Sequence, residues 1–295
     1  MLPQVFPIAP LEDYRLLDSG GGQKLERFGG RVLVRPDPQT LWHPRLAQEL
    51  WDLADYRFVR ESDRGGHWLD RQGRRIPKEL SWTCKDGAAR FIIRPTNFKH
   101  VGLFPEQATN WRRVAEFAGG FSGGKPSLLN LFGYTGAASI LACQAGYEVT
   151  HVDASRQALN WVSDNAQASG LGDRPMRLLL EDALSFVQRE ARRGSRYNVV
   201  LLDPPHYGRG PKGQKWQLET GLAPLLESAM SLLEDRALLI LSTYAVGYSP
   251  LAFANLMGQY GDGTVSAGEL ALQEHESERL LPAGFCTHYL TLPAS

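Results

Sequence analysis

The chain has 295 residues, no net charge at neutral pH, and 43% hydrophobic against 22% charged side chains, a composition that excludes global disorder, collagen and coiled coil. Charge is spread unevenly: residues 1–120 carry 19 basic and 15 acidic groups, and the residues from 251 onward carry one basic and five acidic. A strongly basic nucleic-acid binder is therefore excluded, and a modest basic face on the N-terminal part is not. Three separated cysteines, Cys84, Cys143 and Cys286, contain no CxxC pair, which argues against a disulfide scaffold or a thiolate zinc site. With neither a signal-peptide pattern nor an apolar run of about 20 residues, the expected location is the cytoplasm.

The first 95 residues are broken by turn signals at Ser19–Gly22, Gly29–Gly30, Pro36–Pro38, Gly65–Gly66, Asp70–Gly73 and Asp86–Gly87. Short strands such as Arg31–Arg35 and Arg90–Arg94 lie between them, with one helix expected over Pro44–Tyr56. Trp42, Trp51, Trp68, Trp82 and Trp111 are expected to fill the core of a small domain. A helix follows over 106–118. From residue 127 apolar strands alternate with amphipathic helices: strand Ser127–Phe132, helix Ala137–Ala145, strand Tyr147–Val152, then a helix with Ser155 as its N-cap. Met176–Leu180, Tyr197–Leu202 and Ala237–Leu241 read as further strands, separated by helices near 183–193 and 218–234. This alternation demands right-handed crossovers and a parallel sheet. The chain thus divides into a small β-rich N-terminal domain, 1–95, and a Rossmann-like α/β domain, 96–295.

In such a sheet, ligands bind at the carboxyl ends of the strands. The first end carries Gly133 and Gly136, where a missing Cβ lets the backbone turn tightly and approach a ligand; a packing turn is the alternative. Asp153 closes the second strand 20 residues after Gly133, the spacing at which an acid meets ribose hydroxyls in nucleoside-binding folds. Dehydrogenases and S-adenosylmethionine enzymes both need that contact. Asp182 ends the third strand, either to take an adenine amino group or to cap the next helix. The fourth end, Asp203-Pro-Pro-His-Tyr207, delivers an acid into two prolines that fix φ and remove two backbone donors. A rigid edge of acceptors remains, with the His206 and Tyr207 rings beside it, suited to a flat donor-bearing group such as a base.

This order of motifs resembles the class I S-adenosylmethionine-dependent methyltransferases, and more closely the bacterial branch containing the large-subunit ribosomal RNA methyltransferases I and K/L. That branch has a similar Phe-x-Tyr-Thr-Gly turn and a similar Asp-Pro-Pro with an aromatic two places on, matched here by Tyr207. The likeness covers about residues 95–295, including Gly102–Gln107, an element that in the family lies over the cofactor. It implies a seven-stranded sheet whose last antiparallel pair is 264–272 and 285–292. It also implies an S-adenosylmethionine site of Gln107, Phe132, Gly133, Tyr134, Thr135, Gly136, Asp153, Ala154, Ser155, Asp182 and Ala183, with Asp203, Pro204, Pro205, His206 and Tyr207 as the catalytic segment. Two departures stand out. The RNA-binding N-terminal domain common in the branch is not expected here, since residues 1–95 read as a small β-rich extension, and Leu241–Ala245 has no cysteine where the cytosine-C5 enzymes carry their nucleophile.

The stretch Gly208–Trp216 has three cations and three glycines. It is expected to be a mobile loop in which Arg209, Lys212, Lys215 and Trp216 meet substrate phosphates. Arg71–Lys78 is a second basic cluster, expected to be a wet surface. The histidines show no metal-ligand spacing, so no metal is expected. Cys84 and Cys286 are placed away from the site, and Cys143 reads as a small buried apolar residue. The expected function is methyl transfer from S-adenosylmethionine to a nitrogen of an RNA base. Methylation of a small molecule or protein side chain, a nicotinamide oxidoreductase and a silent cofactor-binding module stand as alternatives.

Overall fold

A computed structural model describes residues 4–62, 65–121, 124–172, 176–244 and 247–293, and the chain falls into two units. One is Ile8–Ala108 with Ala271–Pro282; the other is Met1–Pro7, Thr109–Leu270 and Ala283–Ser295. The division thus falls at 108/109 rather than at the expected 95/96, and each unit takes a segment from far along the chain. Of the glycine stretch at 119–124, residues 122 and 123 lie outside the described residues.

In the N-terminal unit, strands β1 (Tyr14–Gly20), β2 (Gln23–Phe28) and β3 (Arg31–Pro36) are joined by tight glycine turns and form an antiparallel meander. After helix α1 (Gln48–Asp52), β4 (Tyr56–Ser62) joins parallel to β3, and β5 (Gly65–Asp70) completes a five-stranded sheet. β6 (Trp82–Asp86) and β7 (Ala89–Ile93) form a separate hairpin. The helix expected over Pro44–Tyr56 shrinks to five residues because Asp18 takes the backbone N–H groups of Arg45 (3.1 Å) and Leu46 (2.8 Å), holding that segment out of helical geometry. Trp51 and Trp68 are buried, Trp42 and Trp82 half-buried, and each indole N–H has a partner: Asp18, Thr96, Ser19 and Phe28 respectively. The buried carboxylate of Glu26 is gripped from two sides by Arg35 (2.7 and 2.8 Å) and accepts from the Tyr14 hydroxyl. Two cations of the basic run are paired with neighbouring carboxylates, Arg74 with Asp70 and Arg75 with Glu61.

The larger unit begins its regular structure with α2 (Ala108–Ala118) and β8 (Ser127–Leu131). It continues with α3 (Ala137–Gln144), β9 (Glu148–Asp153), α4 (Arg156–Ala168), β10 (Met176–Leu180), α5 (Ala183–Arg193) and β11 (Tyr197–Leu202). Then come β12 (Tyr207–Arg209), β13 (Lys215–Gln217), α6 (Leu218–Met230), β14 (Leu233–Thr243), α7 (Pro250–Gly258), β15 (Thr264–Gln273) and β16 (Leu280–Thr291). Seven strands form one sheet in the order β10-β9-β8-β11-β14-β16-β15, with β16 inserted antiparallel beside β14. Strand interiors such as Leu128–Leu131 and Val199–Leu202 are buried on both faces, as a sheet covered by helices requires. Their ends are cut by local signals. Ser155 caps α4 by accepting from Ala158 N (3.2 Å), Asp182 caps α5, and Gly194 ends α5 at φ 70°.

No described helix is long and apolar enough to cross a membrane. Among the described residues no group of three or more His, Cys, Asp or Glu is arranged to hold a metal ion.

Candidate active site

The parallel strands end flush. Leu180 pairs with Asp153, Val152 with Leu131, Leu131 with Leu202, and Leu202 with Leu241. The residues that follow these strand ends therefore share one edge of the sheet. With strands ~4.8 Å apart, Asp153 and Asp203 flank the glycine turn across ~10 Å.

The turn after β8 is strained. Phe132 (φ 57°) and Tyr134 (φ 50°) both occupy the left-handed region, as does Gly136 (φ 82°). For non-glycine residues that costs ~1–2 kcal/mol each and persists only where the surroundings over-determine it. Those surroundings are specific. Gly133 N donates to Val152 O (3.2 Å), Tyr134 N to the Asp153 carboxylate (2.9 Å), and Asn165 Nδ2 to Thr135 O (2.9 Å). A Cβ on Gly133 would sit 2.3 Å from His151 Cε1. His151 is itself part of a buried chain in which Asn130 Nδ2 donates to Ser139 Oγ (2.9 Å) and Ser139 Oγ lies 2.9 Å from His151 Nδ1. Burial pushes the His151 pKa down to about 4, so the ring is neutral. Nothing in the sequence separates this histidine from the others except its alternation with buried Val149 on β9.

Asp153 is half-buried and uses one oxygen for Tyr134 N and the other for Ser155 N (2.8 Å). Burial raises its pKa, against the pull of these backbone donors. The carboxylate, with about four lone-pair sites, keeps acceptor capacity for a further hydroxyl donor. Asp182 is an N-cap: its Oδ1 accepts from Ser185 N (2.9 Å) and Ser185 Oγ (2.7 Å). Ala154 follows the β9 end, and Ala183 opens α5 as a buried residue. Gln107 is buried in a short 3-10 turn, Pro105–Gln107, and belongs to the N-terminal unit.

Asp203 is half-buried after β11, Pro204 is buried, and Pro205, His206 and Tyr207 are exposed. The following residues correct the expected mobile loop: β12 and β13 pair in register from Tyr207↔Gln217 to Arg209↔Lys215, and Gly210 N bonds to Gln214 O (2.8 Å). Trp216 is no substrate contact. It is 6% exposed, donates from Nε1 to Pro205 O (2.6 Å), packs on Phe132 with ring centroids 5.0 Å apart, and covers Gly221 of α6. Arg209, Lys212 and Lys215 remain exposed on the hairpin.

A second correction concerns Cys286, which does not lie away from the site. Antiparallel β16 sets it opposite Ser242 at the β14 end. Its Sγ donates to Asn110 Oδ1 (3.3 Å), in a buried cluster with Ser242 and His288 that no local sequence pattern marks. Burial first, with the Asp203 charge adding to it, pushes its thiol up to about 12.

Residues 110–243 match the family described as "Conserved hypothetical protein 95". The solved structure of the SAM-dependent methyltransferase from Agrobacterium tumefaciens is 36% identical and superposes with a TM-score of 0.91 over 98% of this chain and 94% of that one. A structure of SMU.776 complexed with SAH, 17% identical, superposes with a TM-score of 0.71 over 96% of this chain and 76% of that one, which supports the fold. The ribosomal RNA large subunit methyltransferase K/L of Methylococcus capsulatus is 29% identical over 187 residues, 63% of this chain; the chain spans 24% of that relative's length. The chain belongs to the S-adenosylmethionine-dependent methyltransferase family.

Proposed function

We propose that the protein transfers a methyl group from S-adenosylmethionine to a nitrogen of an RNA base. One observation carries this reading: the flush strand ends put the strained Phe132–Gly136 turn, Asp153 and Asp203-Pro-Pro side by side on one edge of a methyltransferase sheet. The site fits a nucleoside. The turn brings backbone close without side-chain bulk at Gly133 and Gly136, Asp153 has acceptor capacity left for ribose hydroxyls, and Ala154, Ser155, Asp182 and Ala183 border the space for the adenine. When bound, S-adenosylmethionine supplies a methyl group on a sulfonium sulfur, reactive towards in-line displacement. Asp203 and the carbonyls fixed by Pro204 and Pro205 hold an N–H group and stabilise the positive charge that develops on the acceptor. Tyr207, 62% exposed, is available to stack on a base, a contact worth ~1–3 kcal/mol.

The Methylococcus relative is named as an enzyme of ribosomal RNA, which supports RNA as the acceptor class. The exposed Arg209, Lys212 and Lys215 would meet its phosphates from a fixed hairpin. A cytoplasmic location accompanies this reading. A small-molecule or protein acceptor is favoured by a separate observation, the pairing of Arg74 and Arg75 with Asp70 and Glu61.

Calorimetric titration with S-adenosylmethionine, followed by incubation of the protein with tritiated cofactor and fractionated cell extract, tests the proposal. Asp153→Ala should weaken cofactor binding by ~1.5–3 kcal/mol in a folded protein, and label should enter the RNA fraction. Unchanged affinity overturns the site assignment, and label confined to protein or small molecules overturns the acceptor class.

A further inference from the structure

His206 follows the proline pair after Asp203, and its Nε2 lies 2.6 Å from Oε1 of Glu219, in the first turn of α6. The backbone between them is pinned: Pro205 O accepts from the Trp216 indole (2.6 Å) and His206 O from Leu218 N (3.0 Å). The imidazole rests on Tyr207, with ring centroids 4.3 Å apart. The His206 and Glu219 side chains stay 41% and 38% exposed, and pairs so open to water add little to stability. A fixed histidine at the catalytic strand end, held by a carboxylate, calls for another account.

Methylation of a ring or amino nitrogen leaves that nitrogen cationic, and a proton must depart. Imidazole is the side chain whose ordinary range suits that transfer near neutral pH. With its Nε2 proton held by Glu219, His206 carries its lone pair on Nδ1, the same orienting logic by which a carboxylate sets the histidine of a hydrolase triad.

We propose that Glu219 is the positioning residue for His206, and that the pair removes the proton released from the methylated nitrogen. This rests on the reading of the protein as an N-methyltransferase. The acceptor nitrogen forms its bond to the methyl carbon as the sulfur–carbon bond breaks, and that bond's electron pair stays on sulfur. The N–H proton then passes to His206 Nδ1, and the resulting imidazolium faces the Glu219 carboxylate until it gives the proton to water. The charged groups around His206 are Asp203 and Arg209 on its own segment, Lys215 on β13 and Glu219 on α6. Of these, Glu219 is the one at hydrogen-bond distance.

The test compares full-length wild type, Glu219→Gln and Glu219→Asp. One arm reads the ring-nitrogen NMR shifts of His206, which report the nitrogen that carries the proton; the other is the pH dependence of tritiated methyl transfer onto total RNA. Glu219→Gln should redistribute the His206 proton between the two ring nitrogens. It should move the acidic limb of kcat/KM and reduce the plateau rate about tenfold, with cofactor affinity unchanged and partial recovery in Glu219→Asp. A merely structural pair would lower the melting temperature and leave the acidic limb in place, and that outcome overturns the proposal. If wild type binds the cofactor but labels no RNA, the acceptor reading fails on its own. The NMR arm then decides the pair, since a His206 proton distribution indifferent to Glu219→Gln overturns the positioning role.

Discussion

The indole nitrogen of Trp216 donates to the carbonyl oxygen of Pro205 at 2.6 Å, tying the β12–β13 hairpin to the strand end that carries Asp203. The same ring covers Gly221, where a Cβ would lie 2.6 Å from it, and touches Phe132 of the glycine turn. One side chain thus joins the Asp203–Tyr207 segment, α6 and the turn. Trp216→Ala should cost ~3–5 kcal/mol of stability, whereas Trp216→Phe, which keeps most of the packing and loses the hydrogen bond, should cost ~1 kcal/mol more than a neutral change. Urea unfolding measures both. A fully stable Trp216→Ala protein would return this segment to the class of loose loops.

Gly133 is the position in the turn least able to accept a side chain. Gly133→Ala drives a methyl group into the His151 ring, which Ser139 and the buried Asn130 hold in place. The cost should be ~1–3 kcal/mol of stability, together with at least about tenfold weaker S-adenosylmethionine binding because the strained turn must shift. Calorimetry and urea unfolding on the same preparation check it, and wild-type values in both would mean the turn has slack.

Acid should weaken the fold in two stages. Burial holds His151 near 4, and burial with Arg113 holds His288 near 4, against an ordinary value of 6.5. Their folded pKa values are depressed, so the unfolded chain binds more protons between these limits, and stability falls as pH drops from 6.5 towards 4. Burial alone would raise Glu26, but Arg35 and Lys24 outweigh it and bring the group from 4.5 to about 2. Its contribution is complete above 4.5 and is lost as pH falls from there towards 2. The urea midpoint should decline steadily over the histidine window and then more steeply. A midpoint flat down to about pH 4 would contradict the histidine part.

Replacing Arg209, Lys212 and Lys215 together by Ala should leave cofactor affinity unchanged, raise the apparent KM for RNA and flatten its salt dependence. The hairpin is paired along its length, so the loss should come from charge, with no change in stability. Equal KM at every salt concentration would make the hairpin a connector.

The sheet was legible because apolar strands and amphipathic helices alternate with clear stops, as at Ser155, whose side chain does cap α4. The hairpin was not. Its strands are three residues long, its glycines suggest mobility, and its anchor is a tryptophan whose role depends on Gly221 and Phe132, residues in other elements. The place of Cys286 is hidden for a related reason. Its position beside Ser242 follows from the insertion of β16 between β14 and β15, a topological fact that local pattern does not carry. The Asn130–Ser139–His151 chain escaped notice because each member alone reads as an ordinary buried polar residue.

If the acceptor atom is a nitrogen, as proposed, identification of the labelled nucleoside will show it. A pyrimidine C5 carbon needs a covalent thiolate, and Cys286, opposite Ser242 at the β14 end, is 1% exposed with its thiol pushed up to about 12. RNA methylated by the protein, digested to nucleosides and resolved by mass spectrometry, should yield an N-methylated base, and Cys286→Ser should yield the same product. A 5-methylpyrimidine, or a covalent adduct trapped with a 5-fluoropyrimidine RNA, would contradict the account.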